Sequence, residues 1–515
     1  MTRRVLLLAL LLSVAWVAKA QSGPVVAVTG GKIQGFLTLD GGAAFKAIPY
    51  ALPPIGNLRW REPQPVEKWQ GIREATRFSS PCTQLSEGWN EKFVSASTED
   101  CLYLNVASPE WPPKAKYPVM IWIHGGSNTA GDGDDAGFDE RTLVHHGVVL
   151  VTINYRLGAL GFLVHPELIE ESPHHASGNY GLMDQIAALR WVQANIEKFG
   201  GDPGNVTAIG ESAGAFDIDL LMTTPLAQGL FQRAIAESGA VSGFHGPRSR
   251  EHAEQIASKL AARLKSPSVG AIEFLRTIPA EEILRETRIA SNGDDVGLET
   301  SVDGWVLRES PAEVFANGRS MPVPLLIGSN AQEIQGPVEP AQVREAIQKA
   351  YQDLAGRALE LYQLSGVGAG NTDPVYGGPG IQWSTDSRFR CPATDQALAH
   401  ATAGHSTFQY EFQHPVPGLQ FTSHASELNF LFGTWGKSVQ LAPIDKKISD
   451  QMLAYWTNFA RSGDPNGEGL PIWPKVTRES QAYMAFTDTG AVAKSGLRIG
   501  FCELWSRAQN ADGTK

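Results

Sequence analysis

The pattern G-x-S-x-G occurs at residues 210–214, with Ser212 at its centre. It follows the apolar run 206–209 and precedes the apolar segment 218–222, so a strand, a sharp turn and a helix are predicted in that order. A serine on such a turn is held clear of the sheet, because the flanking glycines let the strand and the helix approach closely. The pattern therefore predicts that Ser212 is a nucleophile for acyl transfer.

Two glycines suited to binding negative charge follow the apolar run 119–123, in the order His124-Gly125-Gly126. Glycines leave backbone N–H groups unobstructed, and those of Gly125 and Gly126, with that of Ala213, could hold the oxyanion of a tetrahedral intermediate. Losing one such donor typically costs about 2.7–4 kcal/mol of transition-state stabilisation. We therefore predict an oxyanion hole formed by these three groups.

A serine nucleophile also needs a carboxylate and then a histidine further along the chain. Glu333 is the only carboxylate in the few residues after the predicted strand 324–327, where it could orient an imidazole. By spacing alone, a solvated loop side chain would be the better interpretation of Glu333. Position also leaves the base open between His414, at the end of the predicted strand 406–413, and His424 in the next loop.

No metal site is predicted from the histidines. His424 and Glu427 have the i, i+3 spacing of metal ligands, but no third ligand is evident near them. The adjacent His174 and His175 are better interpreted as an exposed pair in a loop. Acyl transfer by a serine, an imidazole and a carboxylate needs no metal or other cofactor, so we predict none.

The elements that must position these residues alternate along the chain. Short apolar runs rich in β-branched residues occur at 119–123, 148–153, 206–209, 234–236 and 324–327. Their continuous hydrophobicity is typical of strands buried on both faces of a mostly parallel sheet. Apolar residues in 186–199 recur at spacings of three and four, which predicts a helix. The pattern predicts an α/β fold, with an N-terminal antiparallel hairpin at 25–37 and helical insertions at 251–265 and 449–461.

Composition narrows the class of protein. The chain has 515 residues, of which 42% are apolar and 19% charged, so it is globular and not disordered. The formal net charge of −11 argues against a protein that follows nucleic-acid phosphates. The length exceeds the roughly 250–300 residues at which many single cores stop growing. No repeat or long low-complexity linker divides the chain, so residues 21–515 are predicted to form one large domain.

The first twenty residues predict export. Arg3 and Arg4 precede an apolar run at 5–17, and Ala18-Lys19-Ala20 has the small-x-small pattern of a cleavage site. A membrane anchor is the alternative, but the run is shorter than the ~20 residues of a spanning helix. We therefore expect residues 1–20 to be a signal peptide, and the mature protein to be secreted or periplasmic without a membrane anchor.

Export permits disulfide bonds between the four cysteines, which allow three pairings. Cys82 and Cys101 are close in sequence and bracket a polar segment, so pairing them would close a small loop. Cys391 would then pair with Cys502 and tie a late loop to the C-terminal end of the chain.

Taken together, these residues resemble the type-B carboxylesterase/cholinesterase family of α/β-hydrolases. The matching segments run in the family's order along nearly the whole chain: 48–51, 53–54, 99–105, 124–126, 154–157, 161–163, 178–185, 210–214, 237–239, 424–428 and 432–433. So many ordered motifs make coincidence implausible. The resemblance implies an α/β-hydrolase fold and a serine carboxylesterase that hydrolyses small-molecule carboxylic esters.

The resemblance also implies a role for each residue of the site. It assigns Ser212 as nucleophile, Glu333 as acid, His424 as base, Gly125, Gly126 and Ala213 as oxyanion donors, and Glu211 and Ser238 as groups beside the triad. It thereby favours His424 over His414. Both disulfide pairings given above match disulfides of family members.

The chain also departs from the family's pattern close to the predicted site. Ser127 stands where many members have a third glycine, and Asp217 and Asp219 lie after the nucleophile where members usually carry small residues. One alternative function is an inactive, cholinesterase-like binding or adhesion protein. Another is a serine hydrolase specialised for amide, thioester or natural-product ester bonds. The sequence indicates no oligomeric state.

Overall fold

The computed structural model describes residues 23–134, 141–243, 247–291, 300–366, 368, 370–435 and 438–511. The predicted signal peptide at 1–20 lies outside these residues.

The described chain alternates strands and helices, as the apolar pattern predicts. The strands are β1 Val25–Val28, β2 Gly31–Gln34, β3 Phe36–Leu37, β4 Ala43–Pro49, β5 Ile72–Glu74, β6 Tyr103–Ser108, β7 Tyr117–Ile123, β8 Val149–Ile153, β9 Gly201–Glu211, β10 Arg233–Glu237, β11 Leu325–Asn330, β12 Thr407–Phe412, β13 Ala482–Thr487 and β14 Gly490–Ser495. The helices are α1 Glu91–Val94, α2 Arg141–His145, α3 Gly158–Phe162, α4 Pro166–Glu171, α5 Tyr180–Asn195, α6 Ala213–Leu221, α7 Arg250–Arg263, α8 Ala271–Thr277, α9 Ala280–Ala290, α10 Pro311–Ala316, α11 Pro340–Tyr351, α12 Ala355–Leu361, α13 Pro379–Thr385, α14 Cys391–Thr402, α15 Leu428–Phe432, α16 Pro443–Ser462 and α17 Ile499–Ala511. A π-helical turn, Asp386–Arg390, joins α13 to α14.

Within the described residues, eleven strands form one sheet in the order β14-β13-β12-β11-β10-β9-β7-β8-β6-β4-β3. Its middle, from β13 to β8, is parallel, and its two ends are antiparallel. The hairpin predicted at 25–37 is the antiparallel pair β1–β2, which β5 extends into a small separate sheet, but its last two residues form β3 of the large sheet. The predicted α/β-hydrolase architecture, a mostly parallel sheet flanked by helices, is confirmed.

Strand β7 explains why the predicted strands lack alternation between apolar and polar residues. Val119, Ile121 and Ile123 belong to the core on the face of the sheet that α5 and α6 cover. Met120 and Trp122 belong to the core on the opposite face, beneath α15 and α16. All five side chains are at most 1% exposed. Both faces of the strand are therefore buried, and every position along it must be apolar.

Two disulfide bonds are present, and they join the cysteines that the sequence analysis pairs. Cys82 is bonded to Cys101, and Cys391 is bonded to Cys502. The second bond attaches the start of α14 to α17, so the C-terminal helix is tied covalently to the helix that follows the π-helical turn. None of the helices in the described residues is long and apolar enough to cross a membrane.

Candidate active site

Ser212 is the single residue between the end of β9 and the start of α6. Its backbone has φ 55° and ψ −122°, a strained conformation for a residue with a side chain. Its N–H donates to the Glu237 carbonyl at 2.8 Å, which holds the turn from the neighbouring strand β10. A Cβ on Gly214 would lie only 2.1 Å from the Ile123 carbonyl oxygen, so only glycine fits there. The sharp turn predicted from the sequence is therefore enforced by close packing.

Glu333 and His424, 91 positions apart in the chain, lie in direct contact. Glu333 follows β11 and is 3% exposed, and its Oε2 lies 2.7 Å from Nδ1 of His424. Its other oxygen, Oε1, accepts from the Asn330 N–H at 2.7 Å and from the Ser238 hydroxyl at 2.8 Å. The backbone N–H of His424 also donates to the Glu333 carbonyl at 2.8 Å. Both carboxylate oxygens are thus held in place, and one of them faces the imidazole.

The other nitrogen of the imidazole faces the residue that precedes Ser212. Nε2 of His424 lies 3.3 Å from Oε1 of Glu211, which directly precedes Ser212. In the described part of the chain the Ser212 hydroxyl makes no hydrogen bond to this ring. Catalytic hydrogen bonds are often long before substrate binds. Engaging the Ser212 proton therefore requires Nε2 to exchange Glu211 for the hydroxyl.

The charge around His424 is strongly negative. Burial opposes a charged imidazole, but the carboxylates of Glu211, Glu333 and Glu427 outweigh this and raise the pKa of His424 to about 10. An imidazole must be neutral to accept a proton, so this electrostatic environment sets the pH range in which His424 could accept one.

We expect kcat/KM to rise with pH across the neutral range, because the neutral fraction of His424 grows as pH approaches its raised pKa. The charge of Glu211 is the largest single cause of the raised pKa. The variant Glu211→Gln is therefore expected to move the acidic limb of the kcat/KM profile to lower pH by about one unit or more. The measurement is ester hydrolysis from pH 5 to 10, with Glu273→Gln on α8 as a control. An unmoved limb in Glu211→Gln would contradict the assignment.

Glu427, considered above as a metal ligand, is buried in a hydrogen-bond network behind the imidazole. Its Oε2 accepts from Asn330 Nδ2 at 2.6 Å, and its Oε1 lies 3.3 Å from the Ser238 hydroxyl oxygen and accepts from the Tyr410 hydroxyl at 3.4 Å. Burial, followed by repulsion from Glu333, raises the pKa of Glu427 to about 7. No group of three or more His, Cys, Asp or Glu side chains in the described residues could hold a metal ion.

His414, the other candidate base, lies elsewhere. Its Nδ1 is 2.6 Å from Asp488 and its Nε2 is 2.7 Å from Asp445, so both ring nitrogens are engaged by carboxylates. Asp445 belongs to the first turn of α16, and Asp488 follows β13. The imidazole therefore connects these elements at the end of β12, whereas His424 is the histidine that contacts Glu333.

A buried ionic cluster that the sequence analysis did not single out holds the loop bearing Glu333. Arg390, which is fully buried, donates to the Ala331 carbonyl at 2.6 Å and to Glu411 at 2.7 Å, and it also pairs with Asp386. The available signal in the sequence was Glu411, a charged residue within the predicted strand 406–413, whereas Asp386 and Arg390 lie in a polar stretch that gave no such signal. A charge buried in a core is retained only when it is paired, so the presence of Glu411 indicated a partner across the fold.

The predicted oxyanion donors are available. None of the N–H groups of Gly125, Gly126 and Ala213 donates to an acceptor within the described residues. A Cβ on Gly125 would lie 3.0 Å from the Ser212 Cβ, so the loop after β7 passes directly beside Ser212. Ser127, in place of a third glycine, has φ 55°, a conformation that glycine adopts more readily.

The two unexpected carboxylates on α6 differ in their surroundings. Asp217 accepts hydrogen bonds from Asn128 and Gln185. Asp219 is equally buried, yet neither of its carboxyl oxygens makes a hydrogen bond in the described part of the chain. Burial raises the pKa of Asp219 well above its usual value, although the nearby Gln396 side chain opposes the shift.

The chain is similar to known proteins over nearly its whole length. The family model described as "Carboxylesterase family" matches residues 22–505. Liver carboxylesterase 1 of Oryctolagus cuniculus is 33% identical over 543 residues, with 94% of each chain covered. Fumonisin B1 esterase of Sphingopyxis macrogoltabida is 34% identical over 484 residues, covering 88% of this chain and 85% of that protein. Among solved structures, a PNB esterase matches with a TM-score of 0.81 at 31% identity, covering 93% of this chain and 99% of the other.

Proposed function

The chain belongs to the carboxylesterase family and is a carboxylic-ester hydrolase, and we propose that it cleaves esters with Ser212 as nucleophile, His424 as base and Glu333 as acid. The observation that carries the proposal is the 2.7 Å contact between Glu333 Oε2 and His424 Nδ1, beside the strained turn that presents Ser212. A carboxylate in this position fixes the tautomer of the imidazole and stabilises its charged form.

The proposed reaction has two steps. His424 accepts the Ser212 proton while Oγ attacks the ester carbonyl carbon, and the N–H groups of Gly125, Gly126 and Ala213 bind the oxyanion. The intermediate collapses to an acyl-enzyme as His424 gives its proton to the leaving alcohol. Water then attacks the acyl group, with His424 again as base, and releases the carboxylic acid and free Ser212.

Ser238 and Glu211 assist from beside the triad. The Ser238 hydroxyl supports the acid, because it donates to the Glu333 oxygen that does not face His424. Glu211 supports the charged imidazole through its 3.3 Å contact with Nε2. Both contacts favour the protonated ring that forms when Ser212 loses its proton.

We further propose that the enzyme is secreted or periplasmic. Two disulfide bonds support this, because disulfides persist in oxidising compartments and are rare in the cytosol. The predicted signal peptide at 1–20 is the sequence feature that would direct export.

A fluorophosphonate probe tests the proposed nucleophile. We expect stoichiometric labelling of the wild-type enzyme and parallel loss of p-nitrophenyl ester hydrolysis, with the adduct on the peptide that contains Ser212 by mass spectrometry. Labelling is expected because an activated serine attacks the phosphorus as it would an ester carbonyl. Full esterase activity in an unlabelled enzyme, or an adduct on another serine, would contradict the proposal.

A further inference from the structure

Asp217, on the helix α6 that begins directly after Ser212, contacts the loop that follows β7. We call residues 124–128, directly after β7, the oxyanion loop. The Oδ1 atom of Asp217 accepts a hydrogen bond of 3.0 Å from Nδ2 of Asn128 in this loop. Its Oδ2 accepts from the side-chain amide of Gln185 on α5. Asp217 is fully buried and Asn128 is 2% exposed, so water does not compete for the bond between them.

Asn128 is in turn held at two of its other polar groups. Its Oδ1 accepts from the Tyr155 hydroxyl at 2.9 Å, and its backbone carbonyl accepts from the Gly158 N–H at 2.7 Å. Its backbone has φ 54°, a left-handed conformation that asparagine tolerates better than most residues. The side chain is therefore fixed, and it transmits the position of Asp217 directly to the backbone of the oxyanion loop.

We propose that Asp217 is a positioning residue that fixes the oxyanion loop against the nucleophile helix. The donors of the hole come from both elements: Gly125 and Gly126 from the loop, and Ala213 from the helix. The Asp217–Asn128 bond is a polar link between these elements in the interior. The inference rests on the proposed function, because the spacing of the donors matters only if Ser212 is acylated.

Asp219 provides a matched control on the same helix. It is as buried as Asp217 and of the same type, but it makes no hydrogen bond to the oxyanion loop. Loss of a carboxylate from α6 is therefore common to variants at both positions, whereas loss of the link to Asn128 is specific to position 217.

The experiment compares Asp217→Ala with Asp219→Ala by steady-state kinetics on a p-nitrophenyl ester. For Asp217→Ala we expect kcat to fall about 10- to 100-fold with little change in KM, because displaced donors bind the transition state less well than before. Affinity for an arylboronic acid, which mimics the tetrahedral intermediate, should fall by the same factor. For Asp219→Ala we expect kcat within about twofold of wild type.

Two further variants separate positioning from a merely structural role. Asp217→Asn keeps an acceptor for Asn128, and its new amide can donate to Gln185 Oε1 once the Gln185 amide group, whose NH₂ now faces position 217, turns over; that oxygen has no hydrogen-bond partner in the described residues. We therefore expect Asp217→Asn to retain most of the wild-type kcat. Asn128→Asp sets two carboxylates against each other and should be strongly impaired, whereas the double variant Asn128→Asp/Asp217→Asn restores a donor and an acceptor and should recover kcat.

The proposal is overturned if Asp217→Ala keeps kcat within about twofold of wild type, or if Asp219→Ala loses as much. It is also overturned if the double variant is no better than Asn128→Asp alone. Should Asp217→Ala fail to fold, Asn128→Gly replaces it in the test, with the same limits on kcat. This variant removes the Asn128 side chain, and glycine tolerates the positive φ at that position. Fluorophosphonate labelling of wild-type Ser212 keeps the two proposals separate, because it does not depend on position 217.

Discussion

The variant Ser212→Ala is expected to lose about 10⁴- to 10⁶-fold in kcat for p-nitrophenyl esters, because the remaining groups of the site have no nucleophile to activate. Some rate above that in water should remain, since the N–H groups of Gly125, Gly126 and Ala213 can still bind the oxyanion. The fold should be unaffected, because alanine and serine tolerate φ 55° about equally.

The measurement is kcat per folded molecule, with the thermal unfolding midpoint recorded for each protein. Ser258→Ala on the exposed surface of α7 is the matched control, and it should retain wild-type turnover. If Ser212→Ala kept a tenth of the wild-type kcat while remaining folded, another nucleophile would be responsible for hydrolysis.

The variant Glu333→Gln is expected to lose about 10⁴-fold in kcat, although it differs from glutamate by one atom. The reason lies in the donors around the carboxylate. The N–H of Asn330 and the Ser238 hydroxyl both point at Oε1, so the carbonyl oxygen of glutamine must occupy that position. Its NH₂ group then faces Nδ1 of His424. That arrangement favours the tautomer with its proton on Nε2, which cannot accept the Ser212 proton.

Glu427→Gln serves as the comparison for this variant. Glu427 is buried in the same network but contacts Asn330, Ser238 and Tyr410, and no hydrogen bond joins it to the imidazole in the described residues. We expect its loss of kcat to be at least about tenfold smaller than that of Glu333→Gln. Equal losses of kcat would mean that His424 depends on the hydrogen-bond network as a whole and not on the one carboxylate that faces its Nδ1.

The chain segment at Ser212 was predictable because its determinants are local. The apolar run, the glycines at 210 and 214 and the apolar start of α6 all lie within residues 206–222. The parallel sheet was predictable for a similar reason, since strands buried on both faces leave no polar positions to break an apolar run. The family resemblance followed from the order of such motifs, and it is confirmed.

The first and last residues of the helices and strands were harder to predict from the sequence. The apolar pattern predicts a helix at 449–461, whereas α16 is Pro443–Ser462. The added turns at its start are set by Pro443 at the first helical position and by Asp445, which accepts the Ala442 N–H at 2.6 Å. The start of the helix is thus specified by capping, which apolar periodicity does not record.

The sequence by itself determined the family, the parallel sheet, the disulfide pairs and the serine on its turn, because each depends on patterns within short segments or on their order. Only the tertiary structure decided what surrounds these residues: that Glu333 is buried against His424, that His414 binds two aspartates, that Glu211 faces the imidazole and that Asp217 links α6 to the oxyanion loop. These contacts join residues from 31 to 213 positions apart. They are set by the order of the strands and the path of the loops, which bring side chains that are distant in the chain into contact.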